Sequence, residues 1–173
     1  MARSLSREGI EVHRFSWITT IFVPLLAIFL QVTVTRKFTG LVPLIDLPLL
    51  VTIFFAVARR NPMAGSITGA AIGIVQDAFT HNPIGLFGIA KTIVGYLASS
   101  IGVRVDVENP GSRMLMAFSF YLLHAGIYEL VARNMARLPL GGWSWAHNLF
   151  AAFLNAVVAV VLFVVLDKTK MRK

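Results

Sequence analysis

The chain has 173 residues, of which 57% are hydrophobic and 14% charged, with a mean hydropathy of +0.75. That is too apolar for a soluble domain and leaves no length for a second one. The formal charge of +8 lies mainly in the gaps between apolar runs, a placement that points to membrane topology and anionic lipid rather than to nucleic acid. With no cysteine, disulfides, thiolate metal sites and cysteine nucleophiles are excluded, and the redox compartment stays open.

A basic tail over 1–16 mixes Leu5, Ile10 and Val12 with arginines, and either lies on the lipid surface or is a plain solvated tail. The apolar run that follows is long and has no clear small-residue cleavage site behind it, so it reads as a span rather than a signal peptide. Six segments approach the ~20 apolar residues that a spanning helix needs. They are Trp17 to Val34, Leu41 to Ala58, Met63 to Phe79, Ile84 to Val103, Met114 to Ala132 and Ala146 to Leu166. The breaks carry turn chemistry: Gly40 and Pro43, Asn61-Pro62, Asn82-Pro83, Asn109-Pro110-Gly111, and Pro139 with Gly141-Gly142. A second basic tail closes the chain at 167–173.

Asp46 opens the second span between Pro43 and Pro48, where its expected role is to meet exposed backbone donors or interfacial water. In the third span Gly65, Gly69 and Gly73 recur at four-residue steps and the step lands next on Asp77, after Gln76. Such a stripe is a shallow face for close helix approach, either inside the chain or to a partner. Asp77 is a carboxylate that needs a partner. If the turn centres on Asn82, Asp77 and Lys91 are offset by four residues, about 6 Å along the axis, so Lys91 is the expected partner. That pair reads either as a structural ion pair or as a polar hot spot for another helix. Gly85, Gly88 and Gly95 continue the small-residue theme into the fourth span.

In the fifth span Glu129 and Arg133 have favourable i,i+4 spacing for a local pair. His124, Tyr128 and Glu129 either line an internal cavity or make ordinary interhelical hydrogen bonds. His147 and Asn148 stand near the start of the sixth span and Asn155 lies within it. Trp17, Trp143 and Trp145 sit near span ends, where interfacial tryptophans are expected.

Orientation follows from the basic residues. Arg3, Arg7, Arg14, Arg59, Arg60, Arg104, Arg113, Lys168, Lys170, Arg172 and Lys173 fall on one side, and Arg36, Lys37, Arg133 and Arg137 on the other. The richer side is the cytoplasm, and both termini are there. No nucleophile with an adjacent base, no paired-carboxylate site, no phosphate-binding glycine loop and no metal-ligand spacing is found, so no catalytic residue, metal or cofactor is assigned. The chain is expected to bind or scaffold.

The run Asp46-Leu47-Pro48-Leu49-Leu50, the glycine-striped helix ending Gln76-Asp77, Pro83-Ile84-Gly85-Leu86 and Val94-Gly95-Tyr96-Leu97 together resemble the bacterial rod shape-determining MreD family. The resemblance is strongest from Leu41 to Gly102 and extends elsewhere through hydropathy and size. It implies an all-α membrane protein of six transmembrane helices over 17–166, similar in fold to the substrate-binding subunits of energy-coupling-factor transporters. It also implies a noncatalytic, multi-pass inner-membrane component of the cell-wall elongation machinery. Such a component binds the bitopic protein MreC and connects indirectly to MreB, the SEDS glycosyltransferase and the class B transpeptidase. On that basis the glycine stripe becomes a candidate docking face. The alternative is a vitamin transporter's substrate-binding subunit, with a cavity formed by groups such as Tyr121, His124, Tyr128 and Trp143. An ion carrier built on Asp77, Lys91 and Glu129 is a third reading, and it lacks a continuous polar path.

Overall fold

The computed structural model describes residues 16–37, 44–102, 109–139 and 143–169. Six helices follow one another: α1 (Trp17–Lys37), α2 (Leu47–Arg59), α3 (Pro62–Thr80), α4 (Leu86–Gly102), α5 (Pro110–Asn134) and α6 (Trp145–Asp167). Most of the tails expected at 1–16 and 167–173 lies outside the described residues, as do Gly40, Leu41, Pro43, Val103 and Gly141-Gly142.

Local chemistry sets the ends. Asn61 and Asn109 cap α3 and α5, each with proline in the first turn, where a missing N–H costs nothing. Ser144 caps α6, and Arg60 and His81 close α2 and α3 in the left-handed conformation, at φ 52° and 57°. The Asn-Pro signals at 61–62 and 109–110 are therefore helix starts. The second span departs from expectation, because Leu44 to Asp46 are not in the α-helix and α2 begins only at Leu47. Pro48 stands in its first turn and the Asp46 carboxylate accepts from the Leu49 N–H, so cap and proline together start the helix there.

α2 lies at the centre. It touches each of the other five helices, and α1, α3, α4, α5 and α6 surround it in that order, with α1 and α6 apart from one another among the described residues. Every residue from Pro48 to Ala58 is buried, and the main apolar cluster gathers around Leu49, Leu50, Ile53, Phe54 and Phe55. Three helices are long and apolar enough to cross a membrane: α1 over Trp17–Thr35, α5 and α6. The 13 residues of α2 reach only ~20 Å, against a hydrocarbon core of ~30 Å. Burial from end to end replaces lipid as its surroundings.

The glycine stripe is used within the chain. Gly65, Gly69 and Gly73 are buried on α3. A Cβ added to them would strike the backbone of α4, at the carbonyls of Gly95, Lys91 and Phe87 respectively. Gly95 returns the contact toward the Gly65 carbonyl, and Gly102 meets Val57 of α2. Backbone lies on backbone along this seam, so α4 covers the face considered for docking.

Candidate functional site

The short reach of α2 leaves irregular backbone at 44–46 among neighbouring helices, and side chains of those helices bond several of its polar groups. Asn155 of α6 accepts from the Asp46 N–H at 2.9 Å and donates to the Leu44 carbonyl at 2.7 Å. Gln31 of α1 accepts from the Leu47 N–H at 3.1 Å. The Asp46 carboxylate divides its oxygens: Oδ1 caps α2 through the Leu49 N–H at 2.9 Å, and Oδ2 accepts from Lys91 Nζ of α4 at 2.7 Å.

Lys91 has no solvent exposure. Its ammonium also reaches His124 Nε2 of α5 at 3.3 Å and lies 4.8 Å from the centre of the Phe87 ring, whose negative face suits a cation. An ammonium can only donate, so Nε2 of a neutral His124 accepts and its ring proton sits on Nδ1. One lysine thus joins α2, α4 and α5 through a carboxylate, an imidazole and an aromatic face.

This corrects the expected Asp77–Lys91 pair. Asp77 is fully buried, and its oxygens accept three backbone N–H groups at the start of α4: Oδ2 from Gly85 at 2.9 Å and Gly88 at 3.2 Å, and Oδ1 from Phe87 at 3.1 Å. A helix amino terminus has orphan N–H groups and a positive dipole end, so Asp77 caps α4 from the preceding helix. Gly85, at φ 110°, supplies the backbone turn that aims those groups at it. The axial offset between Asp77 and Lys91 is compatible with contact. The donors of the α4 end saturate Asp77, however, and Lys91 turns to the carboxylate of α2.

Two of the three groups considered for a cavity, His124 and Tyr128, pack against one aromatic ring of α4. Phe87 stacks on His124 at 5.8 Å and on Tyr128 at 4.8 Å, and Glu129 accepts from Arg133 at 2.7 Å, the expected local pair. His124 makes the interhelical contact that was the plainer of its two readings. Among the described residues no group of histidine and carboxylate side chains could hold a metal.

Two further features bear on function. At the opposite end of the bundle Arg113 of α5 pairs with Asp167 of α6 at 2.6 Å, a bridge the sequence reading did not anticipate. Between α4 and α5, a shallow groove of about 360 Å³ is lined by Leu97, Ile101, Ser112, Leu115, Ser119 and Leu123, among others. Neither Ser112 nor Ser119 makes a side-chain hydrogen bond among the described residues, whereas Ser66, Ser99 and Ser100 each bond the carbonyl four residues back. A Cβ at Gly126, seven residues beyond Ser119, would meet nothing within 4 Å.

Compared with known proteins, the chain matches the family described as rod shape-determining protein MreD over residues 12–171. No curated protein and no solved structure matches it.

Proposed function

Because the chain belongs to the MreD family of rod shape-determining membrane proteins, we propose that it is a noncatalytic component of the bacterial cell-wall elongation machinery that binds and positions MreC. The family match over nearly the whole chain carries this reading. Through MreC it connects indirectly to MreB, the SEDS glycosyltransferase and the class B transpeptidase. It resides in the inner membrane with all six helices in the bilayer, and the distribution of Lys and Arg supports cytoplasmic termini.

The surface offered to the single membrane helix of a bitopic partner is the groove between α4 and α5. Its two unbonded serine hydroxyls, set among leucine, isoleucine, methionine and phenylalanine side chains, offer another helix both apolar contact and hydrogen bonds. The vitamin-transporter alternative gains no support: His124 and Tyr128, two of the groups its cavity would use, stack on Phe87 instead.

The test uses the full-length protein in its own membranes, with a photocrosslinking residue at Leu115 or, separately, at Trp17 on the far side of the bundle. Recovery of MreC from Leu115 and not from Trp17 is the expected result. Recovery from neither, with both proteins present, overturns MreC binding; recovery from Trp17 alone moves the contact to α1.

A further inference from the structure

At the basic end of the bundle α2 finishes in Arg59-Arg60, with Arg59 reaching the first turn of α1 and the second turn of α3. Arg59 is held in place without being neutralised. Its Nη2 donates to Thr20 of α1 at 2.6 Å, its Nη1 donates to Thr68 of α3 at 3.1 Å, and its guanidinium lies 5.4 Å from the centre of the Phe55 ring. Thr68 spends its own proton on the Ala64 carbonyl at 2.7 Å, so its oxygen is free to accept from Arg59. Hydroxyls orient a guanidinium but carry no negative charge, and they leave several of its N–H donors unused. Arg60 is fixed through its backbone, whose N–H bonds the Ala56 carbonyl in the left-handed turn. Its side-chain Nε is withdrawn from solvent and has no hydrogen-bond partner.

Among the described residues neither arginine makes an ion pair, whereas Arg113, at the same end, has Asp167. Two adjacent cations therefore stand at a membrane boundary with fixed backbone positions, spare donors and, among the described residues, no protein anion. On either side of Thr20 and just before Thr68 in the chain, α1 and α3 expose apolar side chains, Ile18 and Ile21 on one and Met63 and Ile67 on the other.

We propose that Arg59 and Arg60, at the junction of α1, α2 and α3, seat the phosphate of an anionic phospholipid whose acyl chains lie along Ile21 and Ile67. Guanidinium groups match phosphate oxygens in geometry as well as charge, and anionic lipid is the counter-charge a bilayer supplies. The apolar wall is what selects a lipid over free phosphate. The inference rests on the chain being a membrane protein and not on its partner, so it stands or falls separately from MreC binding.

The test is native mass spectrometry of the full-length protein released from nanodiscs of phosphatidylcholine with phosphatidylglycerol. The wild type is expected to retain one phosphatidylglycerol in preference to phosphatidylcholine. Arg60→Gln, which leaves the Arg59 bonds to Thr20 and Thr68 intact, is expected to weaken retention about tenfold, the scale of one charge-assisted hydrogen bond. Lys168→Gln, an exposed cation at the same end, is expected to change nothing. Wild-type retention by Arg60→Gln, an equal loss in Lys168→Gln, or equal retention of phosphatidylcholine overturns the site. Displacement of the lipid by millimolar inorganic phosphate overturns the lipid assignment in favour of a simple anion seat.

Discussion

α4 meets its two ring neighbours in opposite ways. Toward α3 it presents backbone: carbonyls of Phe87, Lys91 and Gly95 occupy the space that side chains at Gly73, Gly69 and Gly65 would need. Toward α5 it presents side chains, tied at one end by Lys91, His124 and the Phe87 stack and parted at the other into the groove around Leu97 and Leu115. A seam of glycine has no adjustable parts, so it fixes one spacing and admits no third helix. A contact made by side chains at one end only leaves a surface at the other. The sealed seam builds the protein, and the parted one is the surface left for the proposed partner.

The largest test of this contrast is at the tied end. Lys91→Met leaves the Asp46 carboxylate without its cation, and removing one member of a buried pair costs about 3–5 kcal/mol. Lys91→Met combined with Asp46→Asn is expected to recover part of that loss in the unfolding midpoint measured in detergent. No recovery would show that the lysine acts by packing alone. On the sealed seam, Gly69→Val forces side-chain atoms into the Lys91 carbonyl, and overpacking of this kind costs about 1–3 kcal/mol, read in the same unfolding assay.

Asp77→Asn keeps the shape of the α4 cap but removes its charge and makes one acceptor a donor. A loss of about 1–2 kcal/mol follows, and hydrogen exchange at the amides of Gly85, Phe87 and Gly88 should rise first. Gly126→Ala reverses the sign of the seam result. With open space at Gly126, the gain in helix propensity stabilises by up to about 1 kcal/mol; destabilisation there would mean that the α5 face is not open. The smallest effect on stability is expected from Ser119→Leu, within about 0.5 kcal/mol. Its signature is instead a fall in MreC recovered on crosslinking from Leu115, and unchanged recovery would remove the groove from the contact.

What could be read in advance was whatever is local in the chain. Asn61-Pro62 and Asn109-Pro110 announce helix starts because cap and proline are adjacent, and Glu129 with Arg133 is a one-turn neighbour pair. The glycine stripe was legible as a close contact, although not as to which helix makes it. The node at Lys91 was not, since Asp46 lies 45 positions away and His124 33. The only signal was that a lysine in a membrane helix must find an anion, and with Asp77 on the same hairpin and Asp46 beyond a further helix, proximity favoured the wrong one. Choosing correctly required knowing that the amino end of α4 would claim Asp77 through its own N–H groups. The shortness of α2 was hidden too, because Leu41 to Ile45 is apolar enough to pass for the first turns of a span.

That short helix has a consequence for how the protein is made. Thirteen residues, preceded by the Asp46 carboxylate and closed by Arg59 with Arg60 as cap, form a poor unit for independent insertion, since a segment of about 20 apolar residues is what partitions stably. α3 follows after only Arg60 and Asn61, so with all six helices in the bilayer, as proposed, α2 would enter as one arm of a hairpin, with the arginines held back at the surface as the tip of the loop. Its Asp46 then waits for Lys91, which is synthesised 45 residues later. On that topology the Asp46 charge would lack its cation through the translation of α3 and the start of α4, and arrest of the nascent chain before and after Lys91 would separate a loosely held α2 from a locked one.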